Sequence, residues 1–150
     1  MAKTELQKII RAPREKVIEY FGNPELYFSV HSLNDTSFKI VSRHENEVLV
    51  NTKREIRGRP FNSTYRIVLH LPHRIDSETL LGVDKGSKQT TTFEVVPEGT
   101  KVTYKSDIKI EFGGIAGKAL LKLGGKWLKK ITEDEVKEAA EVDRKYLEGK

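Results

Sequence analysis

The order of local patterns along the chain constrains its fold more than any single residue does. One strand-like run ends in Ile10-Arg11-Ala12-Pro13, a short helical stretch follows, six further strand-like runs fill the middle, and one long helical pattern closes the chain. Strands joined by short turns pair as an antiparallel meander. A helix that follows such a sheet packs on the one face that needs covering, and a large curved sheet closed in this way often leaves room between its layers. A cavity is the expected product.

The boundaries can be read residue by residue. Glu5 to Arg11 alternates as a strand, and Pro13 suits the first turn of a helix, where its missing N–H is not needed. Val17, Ile18 and Phe21 form the apolar side of that helix, which Gly22-Asn23-Pro24 ends. Pro24 to His31 predicts a second short helix carrying Leu26, Tyr27 and Phe28. From Ser37 to Ile110 the period falls to two, with breaks at Glu45-Asn46, Gly58-Arg59-Pro60, Leu71-Pro72-His73, Gly82 to Gly86 and Pro97-Glu98-Gly99. Six antiparallel strands in addition to the first are expected.

One parity of these strands is the more apolar: Phe38 and Ile40, Val48 and Val50, Phe61, Tyr65, Ile67 and Leu69, Phe93 and Val95, and Val102, Tyr104, Ile108 and Ile110. These residues are expected to face the closing helix, with Lys39, Arg43, Thr103, Lys105, Asp107, Lys109 and Glu111 on the solvated face. Phe112-Gly113-Gly114 is expected to open the helix, whose apolar side collects Ala116, Leu120, Leu123, Trp127, Leu128 and Ile131. Near Thr132 the apolar phase changes, and Thr132-Glu133-Asp134-Glu135 has the form of a capping box, so a kink or restart is expected there.

The inward parity also carries Ser42, Thr52, Arg54, Ser63, Ser77, Thr79 and Ser106. Apolar walls with a few polar fixtures are what a pocket for a lipophilic molecule needs: the walls supply binding energy and the hydroxyls or a guanidinium orient a carbonyl, phenol or carboxylate. Tyr65, Phe93, Tyr104, Leu120, Leu123 and Trp127 are the expected walls, with Arg54 and Ser106 as polar anchors.

No catalytic residue stands out. His31 follows the short helices near the expected cavity rim, where a general base could sit, although a lone histidine more often packs or lies on the surface. His70-x-x-His73 has no carboxylate at metal-site spacing, so no metal is expected. Gly113-Gly114-x-x-Gly117-Lys118 is too short for a phosphate loop, and Ala119 stands where Ser or Thr would hold magnesium. No cofactor is expected.

At 150 residues, 37% hydrophobic and 33% charged, the chain fits a single globular domain spanning residues 1–150. It has no cysteine, which excludes disulfides, thiolate catalysis and zinc–thiolate sites. No run approaches the roughly 18 apolar residues of a spanning helix, and no apolar signal core follows Met1, so a cytoplasmic location is expected. The net charge of +5 admits an anionic partner. Lys118, Lys122, Lys126 and Lys129 recur about one helical turn apart and could contact anionic lipid or RNA, but a solvated helix face gives the same pattern and no aromatic residues interleave to stack bases.

Three segments resemble a known superfamily: Ile10-x-Ala12-Pro13-x-x-x-Val17, the stretch Phe93-Glu94-Val95-Val96-Pro97-Glu98-Gly99-Thr100-Lys101-Val102-Thr103-Tyr104, and the glycine-led last helix. They resemble the START-like superfamily, also called Bet v 1-like or SRPBCC, and within it the polyketide cyclase/dehydrase and coenzyme Q-binding branches. The resemblance implies an α+β helix-grip fold, in which a curved seven-stranded antiparallel sheet and two short helices after strand 1 wrap around a long C-terminal helix. It also implies binding or transport of a small hydrophobic ligand such as a lipid, an isoprenoid quinone or a polycyclic aromatic. An aromatase/cyclase-like enzyme is the alternative, and members similar to this chain include RNA- or ribosome-associated and chaperone accessory proteins. No universal catalytic residue comes with the superfamily.

Overall fold

The computed structural model describes residues 2–31, 36–56, 59–82, 85–109 and 125–149. The chain runs β1 (Ala2–Ile10), α1 (Arg14–Phe21), α2 (Pro24–His31), β2 (Thr36–His44), β3 (Glu47–Ile56), β4 (Arg59–His70), β5 (Arg74–Leu81), β6 (Lys88–Val96), β7 (Gly99–Ile108) and α3 (Gly125–Leu147). All seven expected strands form one sheet in the order β1-β7-β6-β5-β4-β3-β2, each neighbour antiparallel. β2 to β7 is therefore a meander, and β1 returns from the start of the chain to pair with its last strand.

Local chemistry sets the ends of the elements. Pro13 stands at the N-cap of α1 in an extended conformation. Asn23 Oδ1 accepts a hydrogen bond from the Leu26 N–H at 3.2 Å and so caps α2, whose first residue is Pro24. Glu45 turns β2 into β3 at φ 55°, and the Leu71–Pro72 peptide between β4 and β5 is cis. Gly99 opens β7 at φ 145°, where a Cβ would lie 2.3 Å from the Ile10 carbonyl oxygen. Only glycine lets β7 leave its turn this close to the end of β1.

Register gives the sheet one helix-covered face. Leu6, Tyr104, Thr91, Ile75 and Leu69 lie in one row across β1, β7, β6, β5 and β4, and Thr79, Tyr65, Val50 and Ile40 in another. This is the expected inward parity, with three departures. A β-bulge between Ile40 and Ser42 sets Ser42 opposite Leu49 and Arg43 opposite Val48, so Ser42 turns outward and Arg43 turns to the helix face. There Arg43 forms an ion pair with Glu25 of α2. Val95 is 61% exposed, because β6 runs out to solvent beside its turn. Thr103 is buried on the outer face, a short side chain flanked in register by Gln7 and Thr92.

The core gathers where α1, α3, β1 and β7 meet. Ile10, Val17, Tyr20, Val102, Ala140 and Leu147 are almost wholly buried. α3 lies along β1, with lighter contacts to α1 and α2. Its buried stripe is Ala140, Asp143 and Leu147, with Val136 one turn earlier packing on the core. The helix runs unbroken through Thr132, so the expected restart does not occur. The expected opening of this helix at Phe112-Gly113-Gly114 and its apolar positions Ala116, Leu120 and Leu123 lie outside the described residues, as do the side chains of Trp127, Leu128 and Ile131.

Candidate functional site

Asp143 is a carboxylate with no exposed surface, brought by the inner stripe of α3 into the core. Burying such a charge without partners costs several kcal/mol, so its hydrogen bonds decide whether the fold tolerates it. Three elements supply donors. The Tyr20 hydroxyl of α1 donates to Oδ1 at 2.5 Å, the Tyr104 hydroxyl of β7 donates to Oδ2 at 2.8 Å, and His31 Nε2, on the last residue of α2, lies 2.6 Å from Oδ1. Opposite an ionised carboxylate, which only accepts, Nε2 carries the hydrogen of this contact.

The electrostatics fix the roles. Burial first, and then the negative charge of Asp143, pushes the Tyr20 and Tyr104 phenols far above their usual range. Both remain donors and neither can serve as a base near neutral pH. His31 is the one member whose side chain reaches the surface, at 18% exposure. Asp143 behind it fixes the imidazole's tautomer and orientation, an arrangement that can position a general base or a hydrogen-bond acceptor.

A continuous set of rings extends from this cluster across the helix-covered face of the sheet. Tyr146 stacks on Tyr20 at 5.0 Å, Tyr20 meets Tyr27 at 5.6 Å, Tyr27 meets Phe28 at 5.5 Å, and Phe28 stacks on Phe38 at 5.7 Å and on Tyr65 at 6.4 Å. Phe21 joins it to Phe93 at 5.2 Å. The rings near Asp143 are mostly buried, whereas Tyr27, Phe28, Phe38 and Tyr65 keep accessible surface.

The structure places the expected site residues in two groups. Tyr65, Phe93, Tyr104 and Ser106 all lie on the inner face, the last three buried and Tyr65 partly exposed against Phe28. The Tyr104 hydroxyl is engaged by Asp143, so this residue holds the fold together with its polar end and lines the interior with its ring. Arg54 belongs to β3 by its backbone, but its side chain lies outside the described residues, as do Leu120, Leu123 and the side chain of Trp127. Of the lysine stripe, Lys118 and Lys122 lie outside them too, and so do the side chains of Lys126 and Lys129.

Sequence reading missed Tyr20 and Asp143. Their signal was helical spacing: Tyr20 stands between Val17 and Phe21 on one face, and Asp143 occupies a core position in the series Val136, Ala140, Asp143, Leu147. A charged residue inside an apolar stripe is a candidate for a buried, partnered group.

Among the described residues no helix is long and apolar enough to cross a membrane. No protein-family model matches the sequence, and no curated protein matches it at a significant level. Solved structures do resemble it in fold. A START superfamily protein from Mycobacterium smegmatis superposes with a TM-score of 0.77 at 13% identity, covering 99% of each chain. The Zhui aromatase/cyclase from Streptomyces sp. R1128 gives 0.73 at 16% identity over 98% of this chain and 91% of its own, and Ara h 8.0201 gives 0.73 at 11% over 99% and 98%. A seven-stranded antiparallel sheet, two short helices after β1 and a long C-terminal helix give this chain an α+β helix-grip fold, which superposes on the START superfamily protein and the other two structures along nearly its whole length.

Proposed function

We propose that the protein binds a small hydrophobic molecule, a lipid, an isoprenoid quinone or a polycyclic aromatic, between the inner face of the sheet and α3. One observation carries this reading: the aromatic rings of Tyr27, Phe28, Phe38 and Tyr65 remain partly accessible on the side of the sheet that the helices cover. Rings in a closed core lose nearly all their surface, as Tyr20 and Phe93 do here. Each 100 Å² of such surface removed from water by a ligand is worth about 2.5 kcal/mol. Thr52, buried on the same face opposite Ser63, adds a hydroxyl able to orient a polar end.

A second reading, an aromatase/cyclase-like enzyme, is favoured by the Asp143-backed His31 and by the Zhui aromatase/cyclase among the structural neighbours. One experiment addresses both. Native mass spectrometry of the purified protein, followed by organic extraction, should release a lipophile that Tyr65→Glu, which sets a charge on the wall, no longer retains. A protein that carries nothing and binds no lipid, quinone or polycyclic probe would refute the binding reading. Chemical conversion of the extracted molecule by the wild type, lost in His31→Gln while retention persists, would establish the enzymatic one.

A further inference from the structure

Three phenols surround the interior beside Asp143, and they are not equivalent. Tyr20 and Tyr104 both donate to the carboxylate. Tyr27 does not: its hydroxyl has no hydrogen-bond partner among the described residues, although its ring is clasped by Tyr20, Phe21, Phe28 and, at 4.4 Å, His31. The hydroxyl is not sealed in, so water or a bound molecule can pair with it.

The surroundings of Tyr27 describe a wall. Loss of water contact is the largest influence on its phenol, followed by the charge of Asp143 and the neighbouring Tyr65, and together they push it far above the usual tyrosine range. Its side chain nevertheless keeps accessible surface. A group crowded by protein yet still accessible lines a recess. Held as a neutral phenol, Tyr27 can donate a hydrogen to something entering from the side of Tyr65 and Phe28.

The local charge decides what that something is. Asp143 is a carboxylate whose charge acts on the Tyr27 phenol, and its hydrogen-bond partners are two phenols and one imidazole. A ligand carboxylate brought to the Tyr27 hydroxyl would meet like-charge repulsion and lose its hydration. A hydrocarbon would leave the hydroxyl unpaired. A carbonyl oxygen satisfies the donor at neither cost.

We infer that the Tyr27 hydroxyl is the hydrogen-bond donor to a neutral oxygen of the bound molecule, so that the site selects lipophiles bearing a ketone, quinone or ester carbonyl over plain hydrocarbons and free acids. This rests on the binding function proposed above, and it makes Tyr27 a specificity residue of that site.

The test uses three probes of one shape, 9-fluorenone, fluorene and fluorene-9-carboxylate, in equilibrium dialysis with the full chain. The wild type is expected to prefer fluorenone over fluorene by roughly five- to tenfold, the worth of one hydrogen bond. Tyr27→Phe should bring that ratio to about one, and fluorene-9-carboxylate should bind the wild type more weakly than fluorenone. Equal binding of fluorenone and fluorene, a ratio unchanged in Tyr27→Phe, or tighter carboxylate binding would overturn the inference while leaving the binding function standing. No saturable binding of any probe would overturn both. Thermal melting supplies a control on the premise: Tyr27→Phe should melt with the wild type, and a loss as large as that of Tyr20→Phe would show that the hydroxyl has a structural partner and end the inference.

Discussion

Asp143 illustrates how one side chain can tie distant segments together. Its carboxylate draws donors from α1, α2 and β7, so removing it strands two phenol hydroxyls and an imidazole N–H in the interior. Asp143→Ala should cost on the order of 3 kcal/mol or more, read as a lower urea midpoint at unchanged slope. Tyr104→Phe deletes a single hydrogen bond to a charged acceptor and should cost about 1.5–3 kcal/mol. Because both changes act on one network, the double variant should lose less than the two singles combined. At this scale the sequence was half legible. Strand parity alone turns Tyr65 and Tyr104 inward, but nothing local reveals that the Tyr104 hydroxyl meets a carboxylate 39 positions later.

At the scale of the element, α3 is fastened to β1 by charges as well as by its apolar stripe. Glu141 accepts hydrogen bonds from Arg144 one turn on, and Lys8 of β1 reaches it at 2.9 Å. These partners, Arg144 first, hold the Glu141 carboxyl down at about 2 from a usual 4.5. Glu148 accepts from the Arg11 N–H at 3.1 Å and from Arg144, and its carboxyl is lowered too, chiefly by the Arg11 contact. A carboxyl depressed in the folded state contributes stability above its unfolded value and loses it as pH falls through the folded one. The melting temperature should therefore fall between about pH 4.5 and pH 2, and Glu141→Gln should flatten that part of the profile. Added salt should shrink the difference, since both partners stand partly in water. The helices α1 and α2 were readable from Pro13, Gly22-Asn23-Pro24 and the apolar spacing. The bulge in β2 was not, because one extra residue in a strand changes no composition and only the partner strand shows that two residues face one.

For the whole molecule, stability depends on joining the first strand to the last. β1 pairs with β7 along its full length, from Ala2 opposite Ile108 to Ile10 opposite Thr100, and the Thr100 hydroxyl donates to the Ala12 carbonyl at 2.9 Å. Gly99 lets this junction form, with Ile10, Arg11 and Ala12 all within 3.1 Å of where a Cβ would stand. Gly99→Ala should lower global stability by more than about 1 kcal/mol, from a strained φ and a displaced β1, measured by denaturant unfolding. The element order, the seven strands and, outside the β2 bulge, the face each strand turns inward were determined by the sequence alone, because turn residues and a period of two act over a few positions. The junction at Gly99, the exchange of faces by Ser42 and Arg43, and the meeting of Tyr20, His31, Tyr104 and Asp143 were decided only by tertiary structure. Each depends on segments far apart in the chain, and the chemistry of a buried charge is settled by the donors that folding brings to it.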